Sequence, residues 1–408
     1  MKKISLIGLS LMSGLFALAQ ADAVKHAEHI IKSSNPDFVQ AKEVITPALT
    51  NPETAETMMP WYLAGKANIG IYEAGYMQES LGNPMDAAQK KVAGHALIDA
   101  FNQYYKAMHL DSIPNEKGKI KPKKSKEMIK ELAGLYPQIR NAGIFLIQAQ
   151  DYNGAYDAWE IYAQLPGDAR LGKEAPTADP DTILGETCYY QGAAMLAAKD
   201  GDYKKALNKL EQAEAYGYAP IEVYVYATEA ARLLNDSTTM LEYAQKGYDK
   251  FGTQEISFVG QIINSKLAKN DYDECYRLID EAISNTPEGN APIMSQLYTV
   301  KGNLLDQQEK YAEAEQCFDK SIQYDDKNAK AYFDKARMIY NAAVRLDEEA
   351  NNAQSQEVKD QLLKAAEYFE KAYNLDEVNM TQIPNILYRL YYRLGAGYET
   401  QADVWKNM

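Results

Sequence analysis

The sequence predicts an all-α protein built as an array of antiparallel helix hairpins. Three observations predict this fold class. A four-residue motif recurs eight times along the 408 residues, with two larger residues alternating with two small ones at offsets of three, four and three. A second cluster with helical spacing precedes most copies by about nine to twelve residues. Equivalent positions are also separated by a nearly constant period.

The motif places its four residues on one face of a helix, because offsets of three and four match the helical repeat. Small residues that alternate with large ones let a neighbouring helix approach closely. We therefore interpret each copy as the second helix of a hairpin. The eight copies begin at Phe38, Leu97, Tyr152, Tyr203, Ser237, Tyr272, Tyr311 and Leu362.

The upstream clusters pair an aromatic or branched residue with a small residue four positions later. This spacing is again helical, and the small residue offers a place where another helix can approach closely. The clusters therefore predict the first helices of the hairpins. Examples are Trp61 with Gly65, Ile139 with Gly143, Tyr190 with Ala194, and Tyr298 with Gly302.

The period of the array is close to 34 residues. Thr187 and Ile221 are 34 residues apart, as are Ser295 and Ala329, and the interval from Ile221 to Ile256 is 35 residues. A fixed period in this range is typical of stacked repeats, because one hairpin cannot bury its apolar face alone.

With this period, the segment from Thr187 to Tyr340 resembles the tetratricopeptide repeat (TPR) family. That family spreads an aromatic residue, Leu-Gly, Tyr, Ala, Phe, Ala and Pro over 34 positions. Gly65, Gly143 and Gly302 match the family glycine, and Pro287 matches the closing proline. The sequence departs from the pattern at Tyr162, Thr228, Ile263 and Lys301, so individual repeats are irregular.

The resemblance implies a right-handed superhelical solenoid of about eight hairpins with a C-terminal capping helix. It also implies a concave groove that is lined by the first helices and binds a peptide or a segment of a partner protein. For any single groove position, ordinary solvated helix surface is the alternative. The family's groove positions correspond here to Arg140, Ile144, Gln191, Met195, Glu229, Arg232, Asn264, Asn303 and Arg337.

The N-terminus predicts a secretory signal peptide over residues 1–19. Two lysines follow Met1, and an apolar stretch then ends in Ala17-Leu18-Ala19, with cleavage after Ala19 or after Ala21. An uncleaved anchor helix is the alternative. The predicted location is the bacterial periplasm, with the outer surface or secretion as further alternatives, and no later stretch is expected to insert into a membrane.

Residues 20–408 are predicted to form one continuous solenoid. Its parts are N-terminal hairpins in 22–112, a basic linker in 113–134, central repeats in 135–376 and a cap in 377–408. The hairpin from Trp61 to Ala107 is expected to be taller than the family norm. Of two further insertions, residues 167–181 predict an exposed loop, whereas residues 344–361 predict extensions of the flanking helices.

A formal net charge of -14 argues against a general nucleic-acid surface, because phosphate binding needs clustered lysine and arginine. The basic linker is a local exception. It is either a solvated segment or a docking surface for an acidic partner. Its lysines are Lys117, Lys119, Lys121, Lys123, Lys124, Lys126 and Lys130.

The sequence carries none of the usual motifs for nucleophilic, zinc or nucleotide chemistry. His26 and His29 share a helical face but have no third ligand nearby. We therefore expect no catalytic residue, metal or cofactor. The first hypothesis is a non-enzymatic peptide- or protein-binding scaffold, and the second is a structural subunit or assembly factor of an envelope complex that self-associates or docks through its ends.

Overall fold

The computed structural model describes residues 21–287, 289–349 and 355–408, so the predicted signal peptide lies outside the described residues. Every regular element among the described residues is a helix, and β-strands are absent from them. The chain comprises two compact units that meet in sequence between Asp236 and Ser237. The continuity of one solenoid from residue 20 to residue 408 stays a prediction.

The N-terminal unit contains ten helices within its described residues. Three pairs of consecutive helices, α3 with α4, α6 with α7, and α8 with α9, pack extensively along their length. The helices are α1 at residues 21–31, α2 Phe38–Ile45, α3 Met58–Ser80, α4 Ala87–Asp111, α5 Ser125–Gly134, α6 Tyr136–Gln148, α7 Tyr152–Gln164, α8 Asp181–Ala197, α9 Tyr203–Ala215 and α10 Ile221–Leu233.

The C-terminal unit contains nine helices within its described residues. Consecutive helices again pack in pairs, with α14 against α15, α16 against α17, and α18 against α19. The helices are α11 Ser237–Phe251, α12 Ile256–Leu267, α13 Tyr272–Asn285, α14 Ala291–Gln307, α15 Tyr311–Tyr324, α16 Ala329–Glu349, α17 Gln356–Leu375, α18 Ile383–Leu394 and α19 Glu399–Lys406. The predicted all-α hairpin fold is confirmed.

The motif copies form second helices, as predicted. Tyr152 and Tyr203 are the first residues of α7 and α9, and Tyr272 and Tyr311 open α13 and α15. An aspartate precedes three of these tyrosines and caps the helix through its side chain. These caps are Asp151, Asp202 and Asp271, each of which accepts a backbone N–H from the first turn.

The glycines of the first helices are the positions where the two helices of a hairpin touch. A large residue of the second helix, the third member of the motif, lies directly on the bare backbone of the glycine. A β-carbon at these glycines would lie much closer to the ring than atoms can approach. The pairs are Gly65 with Tyr104, Gly143 with Trp159 and Gly302 with Phe318, and the shortest distances would be 2.3, 2.3 and 2.7 Å.

The hairpin of α3 and α4 is tall, as predicted, with 23 and 25 residues in its helices. The predicted helix extensions are confirmed in the described residues, since α16 runs to Glu349 and α17 begins at Gln356. Residues 350–354 of that insertion lie outside the described residues. The loop at residues 167–181 is largely exposed, but Leu171 is buried and anchors it.

The predicted basic linker is only partly a linker. Its second half forms the helix α5, in which Met128 and Leu132 are fully buried. These two residues are four positions apart and therefore lie on the same helical face. The high charge of the segment obscures this short amphipathic pattern in the sequence. Only residues 112–124 connect α4 to α5.

The cap of α7 makes the stability of the N-terminal unit depend on pH. The Asp151 carboxylate accepts hydrogen bonds from Gly154 N (3.0 Å), Lys91 Nζ (2.9 Å) and His95 Nε2 (2.8 Å). Burial alone would raise the pKa of Asp151, but these contacts outweigh it and hold the pKa at about 2. Because the folded-state pKa lies below the unfolded one, the stabilisation is present above about pH 4 and is lost as the pH falls towards 2.

We expect Asp151→Asn to lower the free energy of unfolding by about 1–2 kcal/mol at pH 7. Roughly half of that difference should disappear at pH 3, where an unfolded aspartate is mostly protonated. Urea unfolding of both proteins at the two pH values measures the effect. The control is Asp202→Asn, the cap of α9, whose carboxylate accepts only backbone hydrogen bonds. If Asp151→Asn lowers the free energy of unfolding by the same amount at pH 7 and at pH 3, the carboxylate of Asp151 does not cause the pH dependence.

Candidate functional site

A pocket of about 330 Å³ opens between two first helices of the N-terminal unit, α6 and α8. The second helix α7 contributes its floor. The lining combines apolar, aromatic and charged side chains, which is the usual composition of a ligand site. The lining residues are Arg140, Ile144, Ile147, Gln148, Trp159, Glu186 and Tyr190.

Trp159 forms the floor. Its indole lies against the backbone of Gly143, and its Nε1 donates a hydrogen bond to the carbonyl oxygen of Arg140 at 3.1 Å. The ring is almost completely buried and stacks against Tyr190 at a centroid distance of 6.0 Å. The glycine contact that joins α6 to α7 therefore also holds the floor of the pocket in place.

Arg140 and Glu186 form the polar rim. The Arg140 guanidinium donates to Glu186 Oε2 at 2.6 Å and to Thr187 Oγ1 at 3.2 Å, which links α6 to α8. Both side chains of the ion pair are partly exposed, so the pair itself adds no more than about 1 kcal/mol of stability. Its main effect is to hold Arg140 in a defined position beside the opening.

Ile144 and Tyr190 form the walls and remain open to solvent. Ile144 is 37% exposed and Tyr190 is 41% exposed, although both are large and mainly apolar. An apolar side chain of a ligand would cover both of them above the buried Trp159. The arrangement can therefore bind one bulky apolar or aromatic group, with hydrogen-bonding groups of the same ligand at the rim.

An aromatic cluster continues from this pocket towards α10. Tyr189 packs against Tyr190 at a ring-centroid distance of 5.2 Å, against Tyr218 at 5.6 Å, and parallel to Tyr226 at 5.9 Å. Burial raises the pKa of Tyr189, so its hydroxyl stays neutral at physiological pH. The surface around Tyr189 is thus aromatic.

The structure brings together two of the predicted groove residues at this pocket, Arg140 and Ile144. Two other predicted groove residues are buried in the interior and do not line the pocket. Gln191 is 0% exposed and donates to Glu160 Oε1 at 2.9 Å, and Met195 is 2% exposed in the interior. The prediction that Gln191 and Met195 face a partner is therefore wrong.

The error has a specific cause, a difference of two positions in the register of α8. The residue of α8 that meets the second helix is Gly192, whose β-carbon would lie 2.6 Å from Leu210. The sequence pattern had pointed to Ala194 instead. A shift of two residues rotates side chains by about 200° around the helix axis. Gln191 and Met195 therefore face the interior, and Glu186 and Tyr190 line the pocket.

Arg232 is exposed and Glu229 is partly exposed on α10, and the two side chains bind each other. Arg232 donates to both carboxylate oxygens of Glu229 at 2.6 Å, within one helix. Asn264 is exposed on α12 of the C-terminal unit. None of these three residues lines the pocket between α6 and α8.

Asn303 and Arg337 belong to a polar network inside the C-terminal unit. Arg337 donates to Asn303 Oδ1 at 2.9 Å, and Asn303 Nδ2 donates to Asp334 Oδ2 at 2.7 Å. Asp334 is almost completely buried, and Lys330 donates to it at 2.9 Å. These contacts join α14 to α16, so both predicted residues take part in holding the helices together.

Five residues of the pocket were not predicted as site residues: Ile147, Gln148, Trp159, Glu186 and Tyr190. Trp159 and Tyr190 stand out in the sequence as members of the helix-packing patterns, which assigned them to the core alone. Each ring packs on one face and lines the pocket on the other.

Two further properties concern the described residues only. Within the ranges that the structure covers, no group of three or more histidine, cysteine, aspartate or glutamate side chains is arranged to hold a metal ion. None of the described helices combines the length and the apolar character that crossing a membrane requires.

The hairpins, the glycine contacts and the period define a TPR-like helical-repeat protein. No protein-family model matches the chain, and no curated protein sequence matches it either. Similar solved structures do exist, and several contain TPR repeats.

One is the C-terminal part of a TPR repeat-containing protein from Cytophaga hutchinsonii, 13% identical, covering 65% of this chain and 92% of that one at a TM-score of 0.42. Another is the TPR2AB domain of yeast Sti1 in complex with pHSP90, 17% identical over 64% and 98% of the two chains at a TM-score of 0.25. A third is the human IFIT1 dimer with PPP-AAAA, 11% identical over 84% and 72% at a TM-score of 0.39.

Proposed function

We propose that the protein is a non-enzymatic scaffold that binds a segment of a partner protein or a peptide through the pocket between α6 and α8. The observation that carries this proposal is the exposure of Ile144 and Tyr190 beside the buried Trp159. A bulky apolar side chain of the partner would fill the pocket, and Arg140 would face the polar backbone of the same segment.

The energetics favour such a contact. Burying one large apolar side chain contributes about 1.5–3 kcal/mol. Tryptophan, tyrosine and arginine dominate the energetics of protein interfaces, and this pocket contains one of each. The ion pair to Glu186 and the indole hydrogen bond hold these groups in place before binding, which reduces the entropy lost on association.

The predicted signal peptide supports a location in the bacterial periplasm, where the scaffold would meet its partner. The acidic net charge supports a protein or peptide partner over a nucleic acid. A scaffold of this kind needs no cofactor. We expect the partner segment to contain at least one bulky apolar residue.

The test begins with peptides selected from a random phage-displayed library against the chain from residue 22 onward. Calorimetry then compares the wild type with Ile144→Glu and Tyr190→Ala. We expect both variants to bind a selected peptide about 10-fold or more weakly, since each loses a central contact. The matched control is Val378→Glu, which places the same charge on an exposed aliphatic position of the C-terminal unit.

Wild-type affinity in Ile144→Glu and Tyr190→Ala would contradict binding at this pocket. So would an equal loss in Val378→Glu, because that loss would reflect charge alone.

A second candidate function rests on the C-terminal end of the chain. Tyr392, Val404 and Met408 are exposed on and beside α18 and α19. Next to them lies a pocket of about 620 Å³ whose lining includes Tyr388 and Tyr391. This end would suit a structural subunit that docks through its terminus. Light scattering after size exclusion should then show a defined oligomer without peptide, and Tyr392→Glu should convert it to a monomer.

A further inference from the structure

The segment from residue 113 to residue 130 is strongly basic in an acidic chain. It contains seven lysines and two glutamates, whereas the whole chain carries a net charge of -14. Within the described residues, only one ammonium group of the segment, that of Lys124, has a carboxylate partner, Glu127 at 2.9 Å. The remaining lysines are exposed, and none of them forms an ion pair in the part of the chain that the structure describes. They are Lys117, Lys119, Lys121, Lys123, Lys126 and Lys130.

The segment is held in shape by its own hydrogen bonds. Asn115 Oδ1 accepts the backbone N–H groups of Lys117 at 3.0 Å and of Lys119 at 3.1 Å, which closes a turn. Asp111 accepts the backbone N–H groups of Lys123, Lys124 and Ser125 at 2.8–2.9 Å. The lysines therefore project from a defined backbone.

Asp111 itself is buried at the end of α4. Burial would raise the pKa of its carboxyl group, but the hydrogen bonds from the lysine backbones and from Ser125 outweigh this and lower the pKa. The carboxylate thus stays ionised as the anchor of the segment.

The same segment exposes two large aliphatic side chains. Ile113 is 53% exposed and Ile120 is 56% exposed, and Ile120 lies between Lys119 and Lys121. On α5, Lys126 and Lys130 are one turn apart on the exposed face. Cationic and apolar groups are therefore interleaved on one exposed segment.

We propose that residues 113–130 form a docking surface for an anionic lipid bilayer. The ammonium groups would meet lipid phosphates, and the isoleucines would enter the boundary between head groups and acyl chains. An acidic peptide would neutralise the lysines but would leave the isoleucines in water, so a lipid surface satisfies more of what the segment exposes. The peptide pocket between α6 and α8 takes no part in this contact.

The experiment is vesicle co-sedimentation with the chain from residue 22 onward. Vesicles of phosphatidylcholine alone are compared with vesicles of equal parts phosphatidylcholine and phosphatidylglycerol, at low and at high salt. We expect binding to the anionic vesicles only, and weakening with salt, because screening shortens the reach of the lysine charges.

The first variant reverses three charges, as Lys117→Glu, Lys119→Glu and Lys121→Glu together. It should bind anionic vesicles roughly 100-fold or more weakly, since each lysine near such a surface contributes about 1 kcal/mol. The second variant, Ile113→Ser with Ile120→Ser, should bind roughly 10-fold more weakly and keep the salt dependence. The matched control reverses three exposed lysines elsewhere, Lys199, Lys204 and Lys269, and should stay within about 3-fold of the wild type.

Several results would overturn the proposal. They are equal binding to neutral and anionic vesicles, no binding to either, and equal losses in the segment variant and the control variant. Soluble poly-glutamate provides a further arm. If it competes fully while the isoleucine variant binds like the wild type, the surface serves an acidic polypeptide and not a bilayer. Circular dichroism checks that each variant is folded.

Discussion

Replacing Gly143 with leucine should lower the free energy of unfolding of the N-terminal unit by about 3 kcal/mol or more. The β-carbon alone would lie 2.3 Å from Nε1 of Trp159, and the indole is almost completely buried. The ring can move away only by losing its hydrogen bond to Arg140 and its packing between α6 and α7. Urea unfolding monitored by circular dichroism measures the loss.

The matched control is a glycine in a similar place that touches nothing. Gly260 lies inside α12, and a β-carbon there would have no heavy atom within 4 Å. We expect Gly260→Ala to be neutral or to stabilise by up to about 1 kcal/mol, because alanine favours the helix. Gly143→Ala should destabilise in spite of the same propensity gain. Equal behaviour of the two alanine variants would show that the glycine–tryptophan contact does not hold the hairpin together.

Replacing Glu160 with leucine should lower the free energy of unfolding by about 3–5 kcal/mol. Glu160 on α7 accepts a hydrogen bond from the ammonium group of Lys209 on α9 and another from Gln191 Nε2 on α8 at 2.9 Å. Lys209 is buried, and the substitution would leave its charge without a counterion. One carboxylate thus holds three helices of the unit together.

The double variant Glu160→Leu with Lys209→Met distinguishes this cause from lost packing. Removing both charges leaves no buried ion, so most of the stability should return. A double variant as unstable as the single one would show that packing, not the charge of Lys209, explains the loss.

The same pair gives a dependence on pH. Burial would raise the pKa of Glu160, but the hydrogen bonds from Lys209 and Gln191 outweigh it and lower the pKa below its usual value. With a lowered folded-state pKa, the contribution is complete above the unfolded value of about 4.3 and is lost as the pH falls further. The stability of the wild type should therefore fall towards that of Glu160→Leu below about pH 4, because protonated Glu160 leaves the charge of Lys209 without its counterion.

The repeating part of the fold could be predicted from the sequence because its packing is periodic. Small and large residues at offsets of three and four identified the second helices, and Gly65, Gly143 and Gly302 identified where the first helices meet them. These contacts depend on residue size at a fixed spacing, which a sequence displays directly.

The pocket could be predicted only in part. The sequence correctly identifies Gly143 as the residue of α6 that meets the second helix. The positions of Arg140 and Ile144 on the pocket side of α6 follow from it. In α8, several small residues lie close together, and spacing alone does not tell which one meets the second helix. The choice of Gly192 is made by the three-dimensional fit to Leu210, and it decides whether Gln191 or Tyr190 faces solvent.

A partner segment is proposed to bind between α6 and α8. The most direct test is a methyl NMR titration of isoleucine-labelled protein with a peptide selected against the chain. We predict that the methyl resonances of Ile144 and Ile147, which line the pocket, shift in proportion to bound peptide, whereas those of Ile113 and Ile120 on the basic segment do not. Shifts that leave Ile144 and Ile147 unchanged while other isoleucines respond would place the binding site elsewhere and contradict the account.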